Sequence, residues 1–222
     1  MRHARAIATV IACLAASAAL PAIALAGEID VEVLDRDGLP VPEVAVYAVA
    51  TDEPTDPSGS RPPAAMSQSE LAFHPHILVV ETGTPVRFPN NDDVRHHVYS
   101  FSDAKTFDLT IDSGAATSVV FDKEGLVTLG CNIHDDMLAY VKVVDTPHFA
   151  LTEGEGTVSM NELPPGRYEI HAWTPRLPEK ALPGPVTVEL TRDGSQHVSF
   201  QFEKKLYPPH EHSETSLHWT HY

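Results

Sequence analysis

Apolar residues in this chain recur mostly at every second position. The run 29–34 (Ile-Asp-Val-Glu-Val-Leu) alternates cleanly, turns at Asp35-Arg36-Asp37-Gly38, and gives way to a second run over 41–49. Period-two runs bounded by Gly, Pro and Asp predict half-buried strands. The same reading predicts strands at 76–80, 85–89, 118–121, 126–129 and 139–144. Further along, it predicts others near 156–160, 168–173, 185–190 and 197–202. Helical periodicity is almost absent beyond residue 26, so the expected fold class is all-β, built of sandwiches. The tightest patterning, over 70–146, predicts a Greek-key sandwich.

Two stretches break the pattern. Residues 1–26 begin with Met1-Arg2-His3-Ala4-Arg5, continue as an apolar run to Leu20, and end on Ala24-Leu25-Ala26. A basic start, an apolar middle and a small-x-small end predict a signal peptide cleaved after Ala26, hence export to a periplasm. The apolar run is short for a membrane span, and no membrane insertion is expected after cleavage. A lipoprotein cut at Cys13 is the alternative, with a very short apolar stretch before it. The second break, 51–65, is rich in Pro, Ser and Asp and reads as the main part of a linker over 51–69. The expected organisation is therefore a leader 1–26, strands 28–50, a linker 51–69, a sandwich 70–146, a second sandwich 149–204 and a His-rich tail 205–222.

Charge narrows the partners. The chain carries 15 Lys and Arg against 31 Asp and Glu, a formal −16, and loss of Arg2 and Arg5 with the leader makes it two units more negative. Nucleic acid needs a basic face and is excluded as a natural partner. An acidic field instead steers basic proteins, such as a basic redox protein. Cleavage also removes Cys13, leaving Cys131 as the one thiol of an exported chain, where no internal disulfide can form.

That thiol sits in the most informative stretch, Cys131-Asn132-Ile133-His134-Asp135-Asp136-Met137, directly after a predicted strand. A thiolate, an imidazole and a thioether at i, i+3 and i+6 can converge from a tight loop at a strand end. Two His and one Cys with a weak axial Met form a blue-copper electron-transfer centre. The missing imidazole is offered by Val94-Arg95-His96-His97-Val98, at the start of another apolar strand, with His96 and His97 both eligible. Asp135 and Asp136 read as solvated loop positions. His171 and Trp173 share one face of a strand and read as structural. His74 and His76, and the tail with His210, His212, His218, His221 and Trp219, are looser metal candidates.

On these residues the stretch 73–145 resembles the cupredoxins, the blue-copper fold of plastocyanin, amicyanin and pseudoazurin. Val80-Glu81-Thr82-Gly83-Thr84-Pro85-Val86-Arg87-Phe88-Pro89-Asn90 resembles that family's turn and strand before the first ligand. The Cys-x2-His-x2-Met spacing is most similar to amicyanin, and 94–102 is similar to cupredoxin-like methylamine-utilisation proteins. The resemblance implies His96, Cys131 and His134 as equatorial ligands and Met137 as the axial one, around one type 1 copper. It also implies an Asn after the first ligand, tying the two ligand loops together, where this chain has His97. Leu163-Pro164-Pro165-Gly166-Arg167-Tyr168 and the turn from Asp35 to Pro42 resemble transthyretin-like or carboxypeptidase-regulatory-like modules. Residues 28–50 thus pair either with 155–200, in a sandwich interrupted by the copper unit, or with 76–90. The function implied is a periplasmic one-electron carrier between redox proteins, such as a basic cytochrome c or a dehydrogenase. A copper storage or delivery protein is the alternative, and no catalytic constellation suggests an enzyme.

Overall fold

The computed structural model describes residues 27–52 and 63–210. The expected leader, residues 53–62 of the expected linker and His212, His218, Trp219 and His221 of the tail lie outside the described residues. Within them the chain is all-β, with one 3-10 turn at Glu179–Ala181 and no helix long and apolar enough to cross a membrane. The strands run β1 (Gly27–Leu34), β2 (Ala45–Ala50), β3 (Ala64–Ala65), β4 (Ser67–Ser69), β5 (Ala72–His74), β6 (Ile77–Glu81), β7 (Thr84–Pro89), β8 (His96–Ser102) and β9 (Lys105–Ile111). They continue as β10 (Ala116–Phe121), β11 (Gly125–Cys131), β12 (His134–Val144), β13 (Phe149–Leu151), β14 (Thr157–Leu163), β15 (Gly166–Trp173), β16 (Val186–Leu190) and β17 (Ser195–Gln201).

A central sandwich stacks the sheet β6-β12-β11-β8-β9 against β10-β7-β3, with the small β4-β5 hairpin at its end. Its core is closed by Phe73, Phe88, Phe121, Val127, Leu129 and Val141, all fully buried. Full burial of an apolar side chain of this size is worth about 1.5–3 kcal/mol each.

A flanking sandwich is made from the two ends of the described chain. In one sheet β1 lies between β14, antiparallel, and β17, parallel; in the other the order is β13-β2-β15-β16. The alternation of β1 puts Ile29, Val31 and Val33 inward, where they meet Ile170, Val198 and Phe200. A parallel neighbour needs a long crossover, and here the crossover carries the whole central sandwich. The turn after β1 is made by Asp35, whose carboxylate accepts the N–H groups of Asp37 and Leu39 while Gly38 takes φ +78°. Before β15, the Tyr168 hydroxyl donates to the Pro164 carbonyl at 2.8 Å and fixes the corner.

Three differences from the sequence reading stand out. The second strand starts at Ala45 rather than 41, because Glu43 has φ +58° and Val44 is drawn to Thr152, whose hydroxyl accepts the Val44 N–H and donates to the Val41 carbonyl. Residues 64–65 and 67–69, placed in the linker by composition, are strands paired to β7 and β5. Their side chains are small or polar, so no hydrophobic pattern marks them, although Met66 and Gln68 are fully buried. Strand β9 has no counterpart in the sequence reading; it is an edge strand paired only to β8, with alternating half-buried and exposed positions. The two sandwiches meet at a seam of Ala45, Ile77, Val79, Val144 and Trp173, beside which a cleft of about 600 Å³ opens between Tyr47, Tyr140, Lys142 and His171.

Candidate metal centre

His96 is the first residue of β8, and the loop before it is built around Asn90. The buried Asn90 amide donates to the carbonyls of Val94 (2.8 Å) and Ile111 (3.0 Å), and its oxygen accepts the Asp92 N–H at 3.0 Å. The loop therefore closes on itself and delivers the His96 ring, fully buried, to the inner face. Asp92 then turns back on that ring. Its carboxylate accepts from His96 Nε2 at 2.7 Å, which leaves Nδ1 as the ring's electron-pair donor.

Asp92 is itself held. Its oxygens accept the N–H groups of Glu70 (2.6 Å) and Leu71 (3.2 Å), the two turn residues between β4 and β5. Both have positive φ, +55° and +58°, as a two-residue primed hairpin turn requires. Neither residue is one that tolerates this region well, at a cost of roughly 1–2 kcal/mol each. The bonds to Asp92 offset part of that cost and aim the carboxylate.

Cys131 ends β11 at an irregularity in the ladder, and His134 opens β12 three residues later, so the hairpin tip carries both. The Cys131 sulfur lies 3.7 Å from His96 Nδ1 and 3.8 Å from His134 Nδ1, and the three donor atoms all fall within 4.8 Å of one another. Sulfur and His96 are buried, and His134 is partly exposed. The sulfur also accepts backbone N–H groups from His97 and Ile133. Burial pushes this thiol up, but His96, the two N–H groups and His134 outweigh it and bring it down to about 6. Burial likewise disfavours the His96 cation, and the bonds to Cys131 and Asp92 overcome it, so His96 is raised. Both shifts act in the same direction, toward the charged forms of the thiol and the imidazole.

His97 points the other way, as strand alternation demands. The Asn132 amide donates to His97 Nδ1 at 3.3 Å, so Nε2 carries the proton it gives to Asp108. The Asn132 N–H also donates to the His97 carbonyl at 3.0 Å. These two bonds tie the loops that the resemblance expects an Asn after His96 to join. Met137 is buried in the same core as Cys131. Asp136 is exposed, with its carbonyl bonded to His210.

Of the remaining candidates, His76 lies beside the Met137 segment with Nδ1 on the Leu138 carbonyl at 3.0 Å, and the others lie elsewhere. His171 stacks on Tyr47 (4.8 Å between ring centres) in the cleft, Trp173 packs in the seam, and His74 bonds the Ser69 carbonyl. Sequence reasoning missed Asp92, Asn90 and the β4–β5 turn. Asp92 sits only four residues before His96, but in a loop no periodicity links it to that ring.

A thiolate with two imidazole nitrogens, one of them backed by a carboxylate, is a donor set that fits a borderline or soft transition ion. Fixed oxygen-only cages for Mg or Ca are a different chemistry.

No protein-family model matches the chain, and no curated protein matches it in sequence. Solved structures similar to it include a purple cupredoxin from Nitrosopumilus maritimus, at 23% identity over 36% of this chain and 99% of that one, with a TM-score of 0.33. A reduced amicyanin variant shares 18% identity over 44% of this chain and 99% of its own, at a TM-score of 0.35. A copper-containing nitrite reductase from Thermus scotoductus shares 20% over 50% of this chain and 28% of its own, at 0.36.

Proposed function

We propose that this chain is a copper-binding electron carrier with a single type 1 site formed by His96, Cys131, His134 and Met137. The observation that carries the reading is the convergence of the Cys131 sulfur with Nδ1 of His96 and of His134, from two separate strand ends, at 3.7 and 3.8 Å. Copper held there supplies a one-electron couple, with its potential set by the thiolate and its surroundings. The chain's own part is positional. Asp92 holds the His96 ring and its tautomer, two backbone N–H groups hold the sulfur, and the core around Phe88 and Leu129 keeps water away. His134, partly exposed at the hairpin tip, is the ligand through which an electron would pass to a partner.

The partners that fit are redox proteins with a basic docking face, such as a basic cytochrome c or a dehydrogenase, because acids outnumber bases by 31 to 15. The likeness of 94–102 to methylamine-utilisation proteins favours a dehydrogenase. Export to a periplasm after cleavage at Ala26 is part of the same reading, supported by the basic, apolar and small-residue order of 1–26. No enzymatic activity is proposed.

The test is to load the protein from Gly27 onward with Cu(II) and record its visible spectrum. A strong thiolate-to-copper band that disappears in Cys131→Ser is the expected result. A colourless wild-type protein, or a band indifferent to that substitution, overturns the proposal.

A further inference from the structure

Strand β17 is followed by a segment that leaves the flanking sandwich for the metal loop of the central one. Phe202 is buried in the flanking core, its N–H donates to the Leu34 carbonyl, and Leu206 packs on the same core. Tyr207 and Arg176 then exchange two bonds: Tyr207 N–H to the Arg176 carbonyl at 2.9 Å, and Arg176 Nε–H to the Tyr207 carbonyl at 2.8 Å. Three residues later His210 reaches the other sandwich, where its Nε2–H donates to the Asp136 carbonyl at 3.1 Å.

On the far side of Met137, His76 Nδ1–H donates to the Leu138 carbonyl at 3.0 Å. The two imidazoles stack on each other, 4.9 Å between centres and 11° between planes. His76 is fixed in turn by Tyr140, whose N–H donates to the His76 carbonyl at 2.9 Å and whose ring meets its own edge-on at 5.4 Å. A carbonyl only accepts, so each ring must present an N–H at the named nitrogen. Peptide units are planar, so holding the carbonyls of residues 136 and 138 restrains the backbone dihedrals that set the direction of the Met137 side chain.

We propose that residues 203–210 are a strap by which the flanking sandwich sets the conformation of the Met137 segment, with His76 and His210 as positioning residues. The inference rests on the copper reading where it concerns Met137 as a ligand. It gives the second sandwich a part in the metal centre without touching the ion. The His pair acts through the two carbonyls, and the strap's anchor at Arg176 and Tyr207 transmits the flanking sandwich's position.

The test uses His210→Phe and His76→Phe, which keep a flat ring but lose the donor. It pairs them with His210→Gln and His76→Asn, which replace Nε2–H and Nδ1–H by side-chain amides. The metal-free protein is examined first, by the methyl resonance of Met137 and by amide exchange at Met137 and Leu138. Each Phe variant is expected to shift the methyl resonance and to speed exchange about tenfold, the loss of one hydrogen bond, and the Gln and Asn variants to restore both. In the Cu(II)-loaded protein the same Phe variants change the ratio of the thiolate charge-transfer bands, and the amide variants return it. Phe variants with wild-type resonance and exchange overturn the strap, as do amide variants as disturbed as the Phe ones. A wild-type protein that takes up no copper overturns the copper reading alone, because the metal-free arm still decides the strap.

Discussion

Asp92 joins three things at one carboxylate: the His96 ring, and the N–H groups of Glu70 and Leu71. Asp92→Ala leaves the His96 Nε2–H without its acceptor and two turn N–H groups without theirs. Copper affinity, measured by competition with a chelator, is expected to fall about 10–100-fold, the usual loss when the group behind a ligating imidazole is removed. The unfolding free energy of the metal-free protein, read from urea melts, is expected to drop by roughly 1–3 kcal/mol. Cys131 gives the second test at this level. In the metal-free protein from Gly27 onward it is the sole thiol, and its ultraviolet thiolate absorbance is expected to rise with a midpoint near 6 rather than 9. Because the folded value is the lower one, the stability this thiolate contributes is present above pH 9 and is lost as pH falls through about 6. A midpoint near 9 would mean that the hydrogen bonds to the sulfur do not form in solution. The convergence of Cys131, His134 and His96 was legible in the sequence because a thiol, an imidazole and a thioether spaced three apart beside a strand, with another imidazole at a second strand start, rarely fall together by chance. Asp92 was not, since a loop carboxylate carries no period, and His97 was separated from His96 only by the direction each faces on β8.

Strands were readable where one face is fully buried and the other is not, while β9, whose inner face is mostly half-buried, went unread. β1 alternates over its whole length, and Ile29, Val31 and Val33 sit in the core. β4 and β5 are three residues each and owe their existence to tertiary contacts: Met66 N–H donates to the Arg87 carbonyl and the Asn91 N–H to the Gln68 carbonyl. Nothing local in Ser67-Gln68-Ser69 announces a strand whose turn, through Asp92, supports the His96 ring. The turn at Gly38 was readable by its glycine, whereas Gly156, read as the start of a strand, lies just before β14 with a positive φ, and the two glycines differ in what surrounds them. Gly38 has φ +78° and open space where a Cβ would be; Gly156 has φ +69°, and a Cβ there would lie 2.6 Å from the Val33 carbonyl oxygen and 2.8 Å from the Val41 nitrogen. Gly38→Ala is expected to cost about 1 kcal/mol, the strain of the left-handed region alone. Gly156→Ala must also push apart backbone of the segments on either side of the Asp35 turn, where neither neighbour is a flexible side-chain end. A loss of at least about 2 kcal/mol is expected, read from urea melts of both variants. Equal losses would show that the contact at Gly156 relaxes freely.

The chain leaves the flanking sandwich after β2 and returns to it at β13, so the two units share a seam and two crossings. Composition could not show this, because β1 pairs with β14 and β17 over separations of more than 100 residues, and only the likeness between the 35–42 and 163–168 turns hinted that the ends meet. Two imidazoles lie where the units join. His148 follows the crossing from β12, with its N–H on the Thr146 hydroxyl, which itself donates to the Ala48 carbonyl at 2.6 Å. His171 stacks on Tyr47 beside Lys142. Burial lowers both histidines: Glu81 only partly opposes it at His148, and at His171 Glu169 opposes it while Lys142 adds to it. An imidazole that resists protonation in the fold and not in the unfolded chain draws protons to the unfolded state as the solution is acidified. Stability from these two groups is therefore complete above the ordinary value of 6.5 and drains away as pH falls from there toward their lowered values. Urea midpoints of the metal-free protein followed downward from pH 6.5 are expected to decline, and His148→Gln with His171→Gln to flatten that decline, since an amide has no proton to gain. Cys131 titrates in the same range, but identically in both proteins, so the difference between the two curves isolates the seam. Parallel curves would place the acid sensitivity elsewhere in the fold and leave the junction of the two sandwiches indifferent to pH.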